Sequence, residues 1–526
     1  MNKHFEKGKP AKLLMIQGTG SSVGKSILVA GLCRYFYRQG VAVAPFKAQN
    51  MALNSFITPE GHEMGRAQVV QAEACGLPPH VDMNPVLIKP NSDVGAQVII
   101  HGAVHGTMSA LAYHQYKAKA WEAVKASFTR LQSRYELIII EGAGSPAEIN
   151  LRDNDIVNMG LATSVRAPVL LVGDIDKGGV FASLVGTMEL LAPAERSLVR
   201  GFVVNKFRGD QRLLQSGLDM IAARCGVPFV GVVPFFRDIY LPEEDGVAVE
   251  GYGRTAVGAD DGRLAIGVVK LPHIANFTDF DPLLHEPDVR LDYLMVDDVL
   301  EDYDLIILPG SKNTIDDLMV LQQAGLAERL RTFAARGGAI IGICGGYQML
   351  GRRISDPHQV ETTRGQVAGF GLLPVDTELA GEKVTVQSRG QLSIPLFSLP
   401  PGLPVAGYEI HMGRTTLHEA TTPLLEIKKS GRLEEHYDGA ITADGMIWGT
   451  YLHGIFDNDL FRSGFLQGLR KHRHGVDRPA AAGDSFAVRK EQGLDQLADL
   501  LIRSLDLAAI ESIIADGVTS QPPVMK

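Results

Sequence analysis

Through most of the chain, short unbroken apolar runs alternate with longer segments whose apolar positions recur at helical spacing. The runs "LLMIQG" (13–18), "LIIIEG" (137–142), "PVLLVGD" (168–174) and "GFVVNKF" (201–207) have the texture of parallel strands buried on both faces. Each ends in a polar or glycine-rich segment, the end of an α/β sheet where ligands bind. Helical segments follow several of them, so residues 1–249 are expected to form a doubly wound α/β domain. "EGYGRTAVGADDGR" (250–263) is rich in Gly and Asp, poor in apolar residues, and reads as a linker. A second series, "LAIGVVKLP" (264–272), "DLIILPG" (304–310), "GAIIGICGG" (338–346) and "GMIWGTYLHG" (445–454), predicts another α/β domain over 264–475. The remainder, 476–526, has helical spacing over 485–513 and predicts one or two helices.

Composition narrows the class only slightly. The 526 residues are 45% hydrophobic and 21% charged, ordinary values for a soluble globular chain. A formal net charge of -9 argues against a general nucleic-acid binder but leaves room for local basic pockets. No apolar leader and no bilayer-length apolar run stand in the sequence, so no membrane partner and a cytoplasmic location are expected. Cys33, Cys75, Cys225 and Cys344 are far apart and form no CxxC pair, which argues against disulfides and zinc.

The first candidate chemistry is "GTGSSVGKS" (18–26), which follows the first strand and precedes the helical "ILVAGLCRYFYRQG". That context is what a phosphate-binding loop requires. Gly18 and Gly24 let backbone N–H groups turn toward phosphate oxygens, with Thr19 standing where the common spacing has glycine. Lys25 would reach the β/γ-phosphates of ATP, and the Ser26 hydroxyl would bind Mg²⁺. Glu141, ending a strand in "LIIIEGAGSP", is a natural second Mg²⁺ ligand. Asn205 and Lys206 of "VNKFRGD" follow another strand, and Asn205 has the chemistry to meet a purine base or to sit in a solvated loop. Polar stretches elsewhere, holding Lys47, Lys89, Asn91, Ser92, Asp155 and Asn158 among others, suit a large substrate bearing several carboxylates.

In the second half, "AIIGICGGYQMLG" (339–351) places Cys344 between a strand and a helix, flanked by small residues. This is the pattern of a nucleophile elbow, whose sharp turn exposes the side chain. The following helix terminus would favour thiolate. The Gly345 N–H and a donor near Gly310 or Ser311 in "LPGSKNT" would form an oxyanion hole. His453, in "WGTYLHGIFDN", is the expected base. Cysteine with histidine on an α/β sheet means acyl transfer, and the small-residue setting suits glutamine.

"GICGGYQMLG" and "GTYLHGIF" resemble the class I glutamine amidotransferase domain, a flavodoxin-like fold, in the form found in the cobyrinate-amidating enzymes. "GTGSSVGKS" and "EGAGSP" resemble the dethiobiotin-synthetase-type ATPase domain, a P-loop NTPase-like fold. The likeness runs from about residue 12 to 475 and includes "FKAQNMALNS", "NPVLIKP", "DIVNMG", "GDIDKGGVFAS" and "GYEIHMGRT". It implies that glutamine is hydrolysed at Cys344 through a thioester and that ammonia passes to the first domain. There ATP would phosphorylate a carboxylate of a corrinoid, adenosylcobyrinic acid a,c-diamide, at four peripheral positions in turn. Lys47 and Asp155 are the expected substrate-side residues, with Asp155 positioning the activated carboxylate or ammonia. Most class I domains have a glutamate two residues after the histidine, but here that position is Ile455, as in the cobyrinate-amidating branch. A Cys–His dyad is therefore expected, its ring oriented by Asp457, Glu409 or a backbone carbonyl. The alternatives are the sister enzyme that makes the a,c-diamide and a ParA/MinD-like ATPase switch. The switch proteins have a second lysine early in the loop, which "GTGSSV" lacks.

Overall fold

The computed structural model describes residues 10–90, 95–242, 262–418, 421–429, 435–476 and 485–518. The proposed linker, 250–263, lies almost wholly outside them, as do Asn91 and Ser92. Among the described residues no helix is long and apolar enough to cross a membrane.

The first domain is built on six parallel strands, in spatial order Phe229–Pro234, Val199–Phe207, Val169–Asp174, Lys12–Gly18, Leu137–Glu141 and Val43–Phe46. All four strands expected here are present, and their residues are almost entirely buried. Helices cover both faces, which is why these strands read as continuous apolar runs rather than alternating ones. Strand order reverses around Lys12–Gly18, and the phosphate loop leaves the carboxyl end of that strand. The second domain repeats the plan. Its strands lie in the order Val289–Leu294, Leu264–Val269, Leu305–Leu308, Ala339–Ile343 and Ile447–Thr450, all parallel, closed by antiparallel Ala440–Ile441.

Two features depart from the apolar-run reading. A long antiparallel pair, Val375–Leu392 with Pro404–Leu417, builds a separate sheet against the second domain. Its strands alternate buried with exposed positions and so offer no continuous apolar run. The sequence stretch taken as one strand up to residue 454 divides instead. Ile447–Thr450 stays in the parallel sheet, while Leu452–His453 crosses to pair with Tyr408 and Glu409 in the antiparallel one. Trp448, fully buried against Phe461 and Phe465, pins this crossing point. Burying such a ring contributes about 3 kcal/mol or more, since truncating one costs about 3–5.

The tail helices return to the first domain. Phe486–Ser504 lies along the phosphate-loop helix, Lys25–Arg38. Gly31 admits Leu497 and Leu501, and Arg34 forms 2.8 Å ion pairs with Asp495 and Glu491. The last helix, Leu507–Asp516, continues the same core through Ile510 and Ile514.

Candidate active sites

The phosphate loop is held from several directions. Gly24, at φ 97°, ends the loop and starts the helix, a conformation that favours glycine. A Cβ on Gly18 would strike Val23, so the loop can close tightly only with glycine there. Lys25 Nζ donates to the Gly20 carbonyl at 2.8 Å and the Gly144 carbonyl at 3.0 Å, which folds it over the loop. Asn205 Nδ2 donates to the Val23 carbonyl at 2.8 Å, and Lys206 Nζ to the Ser22 carbonyl at 2.7 Å. Both residues thus brace the loop from the strand Val199–Phe207, two places away in the sheet, and Thr19 is tied by its N–H to the Val172 carbonyl of the strand between.

Ser26 Oγ donates to Glu141 Oε1 at 2.8 Å, so the two expected metal ligands are together. Lys47 is brought to the same place, its ammonium 2.8 Å from the same carboxylate oxygen. Gln71 donates to Glu141 Oε2 at 2.5 Å. Burial alone would push the Glu141 carboxyl up, but Lys47 and the hydrogen bonds of Gln71 and Ser26 outweigh it and hold it below the usual range. A hydroxyl and an ionised carboxylate, both hard oxygen donors, fit Mg²⁺.

Asp155 is held by its own turn. Its Oδ1 accepts from the N–H groups of Val157 and Asn158, both at 2.8 Å, and its Oδ2 from Gly160 at 2.9 Å. The carboxylate is therefore engaged with the start of the helix Met159–Val165. Asn158 in turn clips the turn after Glu141 through two hydrogen bonds with Ala143.

In the second domain Cys344 adopts φ 52°, ψ -108°, a strained conformation for a residue with a Cβ. Neighbouring glycines make it possible. A Cβ on Gly346 would run into the Leu308 carbonyl, and one on Gly342 would lie 2.6 Å from the backbone of Gly346 and Tyr347. Gly345 packs directly on Ser311, since a Cβ there would sit 2.9 Å from the Ser311 nitrogen. Gly310, Ser311 and Gly345 are thus brought to the elbow, and Gly310 stands beside His453. The Ser311 hydroxyl itself donates to Asp317 at 2.6 Å.

His453 is buried, and its Nδ1 lies 2.6 Å from Asp279 Oδ2. The other Asp279 oxygen accepts from the Gly454 N–H at 3.1 Å. Neither Asp457 nor Glu409 is the ring's partner: Glu409 bonds Ser388 at 2.7 Å. Sequence reasoning missed Asp279, because "NFTDFDP" lies 174 residues upstream of His453 and no local spacing ties the two together. Burial pushes the ring toward neutrality, but Asp279, together with Cys344, overrides it and holds the ring's pKa up at about 10. The Nε2 edge has no hydrogen-bond partner among the described residues and lines the same cleft as Cys344. Tyr408 stacks on the ring at 5.2 Å between centroids.

The two sites meet across the domain boundary. Lys89 of the first domain lines the Cys344 cleft. Its ammonium is 3.0 Å from Glu63, which also binds Lys383 of the second domain at 2.6 Å. One nine-residue helix, Arg66–Ala74, touches both sites. Arg66 donates to the Tyr408 hydroxyl at 3.0 Å, while Gln71 reaches Glu141.

Comparison with known proteins matches both domains. Residues 14–248 match the CobQ/CobB/MinD/ParA nucleotide binding domain, and residues 265–461 the CobB/CobQ-like glutamine amidotransferase domain. Fold and sites together define a glutamine-dependent, ATP-using amidoligase. Cobyric acid synthase from Syntrophobacter fumaroxidans is 50% identical over 510 residues, covering 96% of this chain and 99% of the relative. Cobyric acid synthase from Klebsiella pneumoniae is 50% identical over 506 residues, 95% of this chain and 98% of the relative. The chain belongs to the cobyric acid synthase family.

Proposed function

We propose that the chain converts adenosylcobyrinic acid a,c-diamide to cobyric acid by amidating four peripheral carboxylates, using ATP and glutamine. The observation that carries the reading is the shared boundary: a Cys344–His453–Asp279 array and a Ser26–Glu141–Lys47 phosphate site, joined by buried charged residues of both domains. Cys344 attacks the glutamine amide, and N–H groups at Gly345 and Ser311 receive the oxyanion. Asp279 fixes the tautomer and tilt of His453, whose positive charge stabilises negative charge on sulfur and whose proton goes to the departing ammonia. The acyl thioester is then hydrolysed.

In the first domain, Lys25 and Lys47 place positive charge around the phosphoryl group moving from ATP to a carboxylate of the corrinoid. A carboxylate is a poor electrophile, and phosphorylation gives ammonia a leaving group to displace. Mg²⁺ held by Ser26 and Glu141 would neutralise phosphate charge. Asn205 spends its Nδ2 on Val23, which leaves the amide oxygen to meet a purine amino group. Asp155 shapes the substrate side of the site through the turn that it and Asn158 hold.

The test is a time course with ATP, Mg²⁺, glutamine and the a,c-diamide, counting amides by mass. Four additions support the reading. Two additions to cobyrinic acid, with none to the diamide, would instead identify the sister enzyme.

A further inference from the structure

The cleft beside Cys344 is lined by residues of both domains, and its far wall is charged. Lys89 and Lys383 are compensated there, because both bond Glu63. Lys312 is different. Its ammonium is half-buried in the wall and has no hydrogen-bond or ion-pair partner among the described residues. Glu361 also lines the cleft. One of its oxygens, Oε2, accepts from the N–H groups of Thr314 at 2.7 Å and Ile315 at 3.3 Å, which positions the group. Asp356 holds the Glu361 loop by accepting from Val360, Glu361 and Thr362.

Lys312 and Glu361 influence one another without closing an ion pair. Burial pushes the Glu361 carboxyl up to about 7, with Lys312 opposing the shift. Burial lowers the Lys312 ammonium, with Lys89 adding to the effect and Glu361 opposing it. A separated cation and anion in a partly dry wall are each short of a counter-charge, which is costly unless a ligand supplies it. A zwitterion supplies both at once. The reaction's amide donor is such a molecule, with a carboxylate and an ammonium on one carbon and the reacting amide three bonds away.

We propose that Lys312 binds the α-carboxylate of glutamine and Glu361 its α-ammonium, which aims the side-chain amide at Cys344. This rests on the glutaminase reading above. Lys89, entering from the first domain, adds positive potential to the same wall, so the pocket is fully formed only with the domains docked.

Glutaminase kcat/KM tests the assignment with three amides: L-glutamine, glutaramate without the ammonium, and 4-aminobutanamide without the carboxylate. Lys312→Met should lose about 10- to 150-fold on glutamine and glutaramate, the worth of a charged hydrogen bond, but little on 4-aminobutanamide. Glu361→Gln, which keeps an oxygen for Thr314 and Ile315, should lose on glutamine and 4-aminobutanamide but little on glutaramate. Ammonia-driven amidation should persist in both variants and report intact folding. Equal losses on all three amides would overturn the assignment alone. Wild-type protein that releases ammonia from none of them would overturn the glutaminase reading and this proposal with it.

Discussion

The two sites sit at equivalent places, the carboxyl ends of parallel strands, yet they are assembled in opposite ways. The phosphate site is mostly one contiguous turn, residues 18–26, joined by Glu141 from the next strand in the sheet. The glutaminase site gathers Cys344, His453 and Asp279 from three distant segments and takes Lys89 from the other domain. A local site depends on its own backbone. A dispersed one depends on everything that holds the segments together.

The largest separation between the two should come from Cys344→Ser. Glutamine-dependent amidation is expected to fall about 10⁴-fold or more, with ammonia-dependent amidation preserved, as measured by amides formed per ATP consumed. Asp279→Asn should follow at about 10²–10⁴-fold on glutamine turnover alone, because the wrong tautomer of His453 is then favoured. Lys25→Met should act on the other side of the comparison, lowering amidation about 10²–10³-fold with either nitrogen source while glutamine hydrolysis continues.

Two smaller effects concern stability. The His453 pKa is raised in the folded state from about 6.5 to about 10. Its contribution is therefore fully present below pH 6.5 and is lost as pH rises through 10. The melting temperature of wild type should exceed that of Asp279→Asn most at pH 6, and the gap should shrink toward pH 10.5. Asp155→Asn should cost about 1–2 kcal/mol in denaturant unfolding, as expected for a weakened helix cap. It should lower amidation with glutamine and ammonia alike, since the turn it holds belongs to the phosphate site.

How much was legible follows from the same contrast. Strands buried on both faces announce themselves as apolar runs, and the phosphate loop and the Gly-x-Cys-x-Gly elbow are short enough to carry their own geometry. The alternating strands of the antiparallel sheet were missed because half their positions face outward. The hydrogen bonds of Asp155 to its own turn could not be read from the sequence, because a carboxylate that holds a turn and one that faces a substrate look alike in a polar loop.

The order of residues alone determined both α/β domains, the loop at 18–26 and the turn at Cys344. These depend on backbone sterics and burial within a few residues. Only the tertiary structure decided that Asp279 orients His453, that the tail helices close over the phosphate-loop helix, and that Lys89 enters the glutaminase cleft. A hydrogen bond between residues 174 positions apart leaves no periodicity or local spacing behind it, because its geometry is fixed by packing rather than by the chain that connects them.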